Sequence, residues 1–267
     1  MKIEYMQERH KNRRKYFEEQ GLTTSKHVIP YIDQFKKINS SSRILEIGCG
    51  EGGNLMPFVD MGCECMGIDL NKRKIDLANE IYAEHKNKDN TSFLYEDIYE
   101  SDLDKVGTFD LVIMRDVIEH IHNQERFFSH LKNFLKPDGL VFIGFPPWYM
   151  PFGGHQQITS SKFLSKLPYY HILPKPIYKG ILNLFKEPKV TVEALLEIKD
   201  TGITIERIRR IIRSEKYEIV NETMYLLNPN YDVKFGLKPK KQIGLIKALP
   251  FFRNVFSTCC YYLLKKS

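Results

Sequence analysis

Five short apolar runs, each separated from the next by a stretch of helical spacing, occupy residues 43–145 and restrict the chain to very few folds. The runs read RILEI (43–47), ECMGID (64–69), TSFLYE (91–96), FDLVIM (109–114) and GLVFIGF (139–145). They are nearly continuous in apolar residues, the pattern of strands buried on both faces, and helical crossovers between them require parallel pairing. The clearest crossover is predicted at 124–136. Phe127, Phe128, Leu131, Phe134 and Leu135 form one apolar stripe there, Asn123 caps the start, and Pro137-Asp138-Gly139 stops it. The core is therefore expected to be a doubly wound α/β sheet.

Around this core the pattern changes. Residues 1–42 read as an N-terminal helical cap with Tyr31, Ile32 and Phe35 on its apolar face. Residues 146–203 lose the strand-helix alternation and are rich in proline and aromatics, which suggests an insertion that covers the substrate. From 204 the order resumes with a helix capped by Thr204, carrying Ile205, Ile208, Ile211 and Ile212 on one side. A strand at 217–227, a basic amphipathic lid segment at 238–256 and a last strand at 257–266 complete the core.

Composition narrows the classes further. With 42% hydrophobic and 27% charged residues the chain is globular, and at 267 residues it is long enough to bury a proper core. Its five cysteines have neither metal-type spacing nor a disulfide framework, which suits a reducing compartment, so a cytoplasmic location is expected. No stretch approaches the ~20 apolar residues of a membrane span. The net charge of +7 is concentrated at 9–15, 207–213 and 234–241, where a solvated helix face is the expected reading.

The stretch ILEIGCGEGGN (44–54) is a strand running into a glycine turn and then a helix, with Gly48, Gly50 and Gly53 at G-x-G-x-x-G spacing. Asp69 ends the next strand, 19 residues after Gly50. Glycines let the backbone approach a ligand, and an acid at the second strand's tip accepts ribose hydroxyls, so a nucleoside-containing cofactor is expected. Glu46 sits two residues before the first glycine. A carboxylate there repels a diphosphate but suits the sulfonium and ammonium of S-adenosylmethionine.

The segments LEIGCGEGG (45–53), GIDL (67–70), YEDI (95–98), FDLVIMRDVIEHI (109–121) and LKPDGLVFIGFPP (135–147) resemble the class I S-adenosylmethionine-dependent methyltransferases. The resemblance covers about 40–147 and, more loosely, 204–267. It implies a Rossmann-like sheet of seven strands, mostly parallel with the last antiparallel, and a helical insertion after strand five. By position it implies that Glu46, Gly48, Cys49 and Gly50 line the methionine end of S-adenosylmethionine, with Arg115 beside it. Asp69 and Leu70 are then expected at the ribose, and Asp97 with the backbone of Ile98 at the adenine edge. Asp116 and Glu119 would start the next helix near the reacting end. Two other classes are weighed: a nicotinamide-dependent oxidoreductase, against which Glu46 speaks, and a non-catalytic RNA- or membrane-binding module.

Methyl transfer from a sulfonium is an in-line displacement, and a hydroxyl or amine acceptor must also lose a proton to a nearby base. The loop GFPPWYMPFGGHQQ (144–157) leaves the ligand-binding edge of the sheet. Its aromatics Trp148, Tyr149 and Phe152 are expected to wall the substrate, and His155 is the candidate base, with His120 and His122 as rivals. No metal ligand set is expected. Amine methylation of a nucleobase is disfavoured, since Phe145 stands where a polar residue would hold the amino group. The expected acceptor is a small or lipid-linked molecule methylated at oxygen, and nucleic acid is not expected as a partner. Segment 245–257 is expected to be buried within the protein, with peripheral membrane contact as the alternative. Nothing in the chain speaks to oligomeric state.

Overall fold

The structure, a computed structural model, describes residues 13–267. Part of the expected N-terminal cap (1–12) and of the basic run at 9–15 lies outside the described residues. Among the described residues eight strands form one sheet: β1 (Arg43–Ile47), β2 (Glu64–Asp69), β3 (Thr91–Tyr95), β4 (Phe109–Arg115), β5 (Leu135–Phe145), β6 (Tyr217–Leu227), β7 (Lys240–Lys241) and β8 (Cys259–Lys266). Their order is β3-β2-β1-β4-β5-β8-β6-β7, and the first five are parallel. β8 slots between β5 and β6 and runs antiparallel to both. Seven strands are expected from the sequence, and the eighth is the two-residue β7 inside the predicted lid, pairing with the end of β6.

Helices cover both faces, as the doubly apolar strands require. One face carries α1 (Arg13–Thr23), α2 (Ile29–Ile32), α3 (Met56–Asp60) and α4 (Lys72–Tyr82), whose buried side chains pack with Ile44, Leu111, Phe142 and Tyr261. A short helix, α5 (Leu103–Val106), precedes β4. The other face carries α6 (Gln124–Leu131) and, after the insertion, α9 (Ile205–Ser214), packed on Leu45, Val112 and Val141. The insertion contributes α7 (Lys175–Leu184) and α8 (Lys189–Thr201), which enclose a small core of their own around Tyr178, Leu182 and Leu195. Three short helices complete the chain: α10 (Asn230–Phe235), α11 (Gly244–Ala248) and α12 (Phe252–Val255).

Three local expectations are corrected. The crossover helix α6 ends at Leu131, a single 3-10 turn follows, and β5 starts at Leu135, ahead of the expected 139. Phe109 pairs with Leu135 and Leu111 with Leu140, so residues 136–139 bulge out opposite Asp110. Pro137 has no N–H to give the ladder, and Asp110 holds the bulge by accepting from Lys136 Nζ at 2.7 Å. Phe35 is exposed, because α2 stops at Ile32 and the following turn points it away from the face shared by Tyr31 and Ile32. Segment 245–257 is not buried as a whole. Arg253 and Asn254 are, but Leu245, Phe251, Phe252 and Phe256 face solvent.

Candidate cofactor and acceptor site

The turn after β1 takes positive φ at Gly48 (69°), Gly50 (57°) and Gly52 (82°), a region in which side chains are strained. At Gly48 space is short as well: an added Cβ would stand 2.6 Å from Val117. Gly53, the third glycine of the predicted spacing, has no such φ. Its role is close packing, since a Cβ there would come within 2.6 Å of the Phe17 carbonyl oxygen on α1. Cys49 is buried against Gly67, and burial raises its thiol pKa well above the usual range.

Asp69, at the tip of β2, accepts the Gly50 N–H with Oδ2 and the Asn71 N–H with Oδ1, both at 2.8 Å. One carboxylate thus fixes the glycine turn to the start of α4 while each oxygen keeps lone-pair capacity for a ligand. Leu70 is exposed beside it. On the next strand end, Asp97 Oδ1 accepts the Tyr99 N–H at 3.0 Å and so caps its own turn. Ile98 is buried, and its carbonyl is bonded by His130 Nε2 at 2.9 Å.

Glu46 and Arg115 belong to one network. Asn54 Nδ2 donates to Glu46 Oε1 at 2.6 Å, while Arg115 Nη1 donates to Asn54 Oδ1 at 2.5 Å and to Thr24 Oγ1 at 3.1 Å. Arg115 Nη2 donates to Asn230 Oδ1 at 2.5 Å. The guanidinium thus meets three neutral oxygens. Glu46 is buried, its Oε2 lacks a hydrogen-bond partner among the described residues, and burial raises its pKa to about 8 against the opposing pull of Asn54 and Arg115. A half-buried cation next to neutral acceptors, and a buried carboxyl with a spare oxygen, fit a zwitterionic ligand head. Asn54 lies in the quoted glycine motif. Thr24 and Asn230 carry no local signal, since only the fold brings them to Arg115.

Beyond the end of β4 the chain turns at Asp116, whose N–H donates to the Gly144 carbonyl at 2.8 Å and whose φ is 55°. Val117 packs on Gly48, which ties this turn to the glycine loop. Glu119 is 2% exposed, and neither carboxyl oxygen has a hydrogen-bond partner among the described residues. His155 Nε2 stands 3.8 Å from Glu119 Oε1, its Nδ1 is likewise unpartnered, and its ring stacks on His120 at 5.1 Å. Burial, reinforced by His120, lowers the His155 pKa to about 4, and burial raises that of Glu119 well above the carboxylate range. The imidazole of His155 is therefore uncharged near neutrality. Donor atoms of Glu119, His120 and His155 lie within 4.8 Å of one another. His122 is exposed and faces Glu197 at 3.4 Å, outside this group.

The loop that carries His155 is a folded pillar. Trp148 is 8% exposed, donates its N–H to the Ile203 carbonyl at 2.8 Å, and meets His171 edge-on with Lys199 over its face. His171 Nε2 bonds the Trp148 carbonyl at 2.8 Å, and burial lowers its pKa to about 4. Trp148 therefore props the loop from within. Of the aromatics predicted to wall the substrate, Tyr149 is the exposed one. Gly154 lies against His171, where a Cβ would come within 2.3 Å, and Gln156 is buried with Nε2 donating to the Pro151 carbonyl at 2.9 Å. Gly202 faces the indole, and a Cβ there would lie 2.4 Å from Trp148 Cε3. Gly202→Ala is expected to destabilise the protein by ~1–3 kcal/mol, because a rigid indole must move. A fall in the thermal unfolding midpoint by several degrees is the measurement that checks it.

The family model described as a methyltransferase domain matches residues 15–165. A ubiquinone biosynthesis O-methyltransferase of Rickettsia akari is 35% identical over 216 residues, covering 79% of this chain and 77% of its own length. The protein of the same name from Rickettsia conorii is 33% identical over 120 residues, 44% of this chain and 40% of that one. The chain thus spans about two fifths of the length of the first curated relatives it matches. Among solved structures, magnesium protoporphyrin IX methyltransferase from Synechocystis with bound S-adenosylhomocysteine superposes with a TM-score of 0.54 at 15% identity, over 93% of this chain and 84% of that one. A TehB-like methyltransferase from Corynebacterium glutamicum gives 0.53 at 13% identity over 97% of both chains, a likeness of fold.

Proposed function

The chain belongs to the class I S-adenosylmethionine-dependent methyltransferases, and from that premise we propose that it methylates a hydroxyl oxygen of a small or lipid-linked acceptor. The observation that carries this reading is the half-buried, uncharged His155 beside the buried Glu119 beyond the end of β4, next to the glycine turn. An oxygen nucleophile needs a proton acceptor, and a neutral imidazole with an unpartnered nitrogen supplies one. The name shared by the relatives from Rickettsia supports oxygen as the acceptor atom.

In this reading Asp69 holds the ribose hydroxyls with its remaining lone pairs, with Leu70 alongside. Asp97 and the Ile98 backbone meet the adenine edge. Arg115 binds the methionine carboxylate, and Glu46 Oε2 takes the ammonium. Gly48, Cys49 and Gly50 leave the backbone open to the methionine chain. Bound there, the cofactor supplies an electrophilic methyl group on a sulfonium sulfur. His155 accepts the acceptor's hydroxyl proton, and the charge of nearby Asp116 favours the imidazolium that results. The Trp148 pillar keeps the imidazole in place and water out. The test is transfer of a labelled methyl group from S-adenosylmethionine to a panel of phenols and hydroxylated isoprenoid lipids. O-methylated product is expected, whereas label recovered solely on amines would defeat the reading.

Glu46 gives a second check. At pH 7 a carboxyl with a pKa near 8 is mostly protonated, and an ammonium against its free oxygen favours the ionised form. Cofactor binding at pH 7 is then expected to release close to one proton. Calorimetry in buffers of different ionisation enthalpy reads that number, and Glu46→Gln should bring it to zero. The stability sign follows: the fold holds a proton that the unfolded chain loses above about 4.5. This contribution is full below that pH and fades as pH rises through about 8.

A further inference from the structure

Between 235 and 256 the chain carries Lys238, Lys240, Lys241, Lys247 and Arg253 and no acidic residue at all. The same stretch presents Phe235, Ile243, Leu245, Phe251 and Phe252 to solvent, each more than half exposed. Isolated apolar residues on a surface are ordinary. Five large ones within 18 positions, interleaved with cations, form a patch of the kind that marks an interaction surface.

The patch is held outward by structure. Phe251 takes φ 64°, a strained conformation for a bulky side chain. It is fixed there by Glu206 at the start of α9, whose Oε1 accepts the Phe251 N–H at 2.9 Å and Arg253 Nε at 2.8 Å. Asn254 Nδ2 donates to Glu206 Oε2 at 2.5 Å, and Asn254 Oδ1 accepts the Ile205 N–H at 2.8 Å. One carboxylate thus neutralises the inner cation and pins a turn whose two phenylalanines point away from the protein. The lysines at 238, 240 and 241 stay exposed, two of them on the edge strand β7.

Both ends of the patch are tied to the site. Asn230, at the start of α10, bonds Arg115, and the Glu206 anchor follows directly on the 202–203 segment that packs on Trp148. We propose that the 235–256 surface docks the protein on a bilayer bearing anionic headgroups, with Phe251 and Phe252 entering the interfacial region and the lysines facing lipid phosphates. Charge complementarity selects this occupant: a stretch without acids repels a basic partner and attracts an anionic surface, while the aromatics suit the headgroup level. The inference rests on the lipid-linked branch of the acceptor reading, since docking brings the mouth of the site to where such an acceptor resides.

The experiment is cosedimentation of the full chain with phosphatidylcholine vesicles, with and without phosphatidylglycerol. Binding is expected only with the anionic lipid and is expected to fall in high salt. The double variant Phe251→Ala/Phe252→Ala should lower the partition coefficient by about tenfold or more. Lys238→Glu/Lys240→Glu/Lys241→Glu should abolish the dependence on phosphatidylglycerol. Both variants should keep the wild-type thermal shift with S-adenosylhomocysteine, which shows that they fold. Equal binding by wild type and both variants, or no vesicle binding by wild type, overturns the proposal. So does loss of a self-associated state in the phenylalanine variant without any vesicle binding, which would make the patch a contact between copies of this chain. Vesicle binding combined with no transfer to hydroxylated isoprenoid lipids leaves the surface standing and removes the lipid-linked acceptor instead.

Discussion

His155→Ala is expected to lower turnover by about a hundredfold or more with little change in S-adenosylhomocysteine affinity. The reason is geometric. The ring is set by a left-handed backbone at φ 53°, stacked on His120 and placed 3.8 Å from Glu119, so no neighbour can substitute for it without a rearranged loop. The groups facing it are Asp116, Glu119, His120 and, from the insertion, His171. Since burial lowers its pKa to about 4, the wild-type rate is expected to stay level between pH 6 and 8 as far as this base is concerned. It should fall only when acid protonates the ring, as pH approaches 4. His155→Gln keeps a polar side chain of similar reach but no basic nitrogen, so recovery of turnover in it would assign the histidine to scaffolding. Single-turnover kinetics beside cofactor titration separate the two effects.

Asp69→Ala should weaken cofactor binding by about a hundredfold, the equivalent of ~2–3 kcal/mol for lost hydrogen bonds to a charged group. Two losses combine. The ribose contacts disappear, and the Gly50 and Asn71 N–H groups lose the oxygens that fix the glycine turn against α4. Asp69→Asn retains one acceptor oxygen and should fall between wild type and alanine. Isothermal titration with S-adenosylhomocysteine gives the ranking directly. Turnover at saturating cofactor should change little, because the lost contacts belong to the ribose and the glycine turn.

Much of this arrangement is legible in the sequence because it is local. The parallel core follows from runs of apolar residues, and Gly48, Gly50 and Asp69 follow from a turn whose chemistry is written within one strand-turn-helix unit. The α9 face, with Thr204 as its cap, is read just as directly. What escapes is set by tertiary contacts. Trp148 reads as a substrate wall because a lone tryptophan after a sheet strand is a plausible one, yet Gly202 and His171, some fifty and twenty residues away, claim both its faces. Phe251 and Phe252 read as buried because apolar residues usually are. Only Glu206, from another element, turns them out. The bulge at 136–139 escapes because Pro137 reads as a helix stop and gives no hint that the strand has already begun.

Arg115 draws together oxygens from positions 24, 54 and 230, so the ligand-binding end of the protein is closed by a residue whose partners span most of the chain. Contacts of such long sequence separation carry the largest loop-closure cost. An occupant bridging Arg115 and Glu46 clasps the two ends of the polypeptide to its middle, and resistance to heat and proteolysis near both ends should rise with ligand concentration.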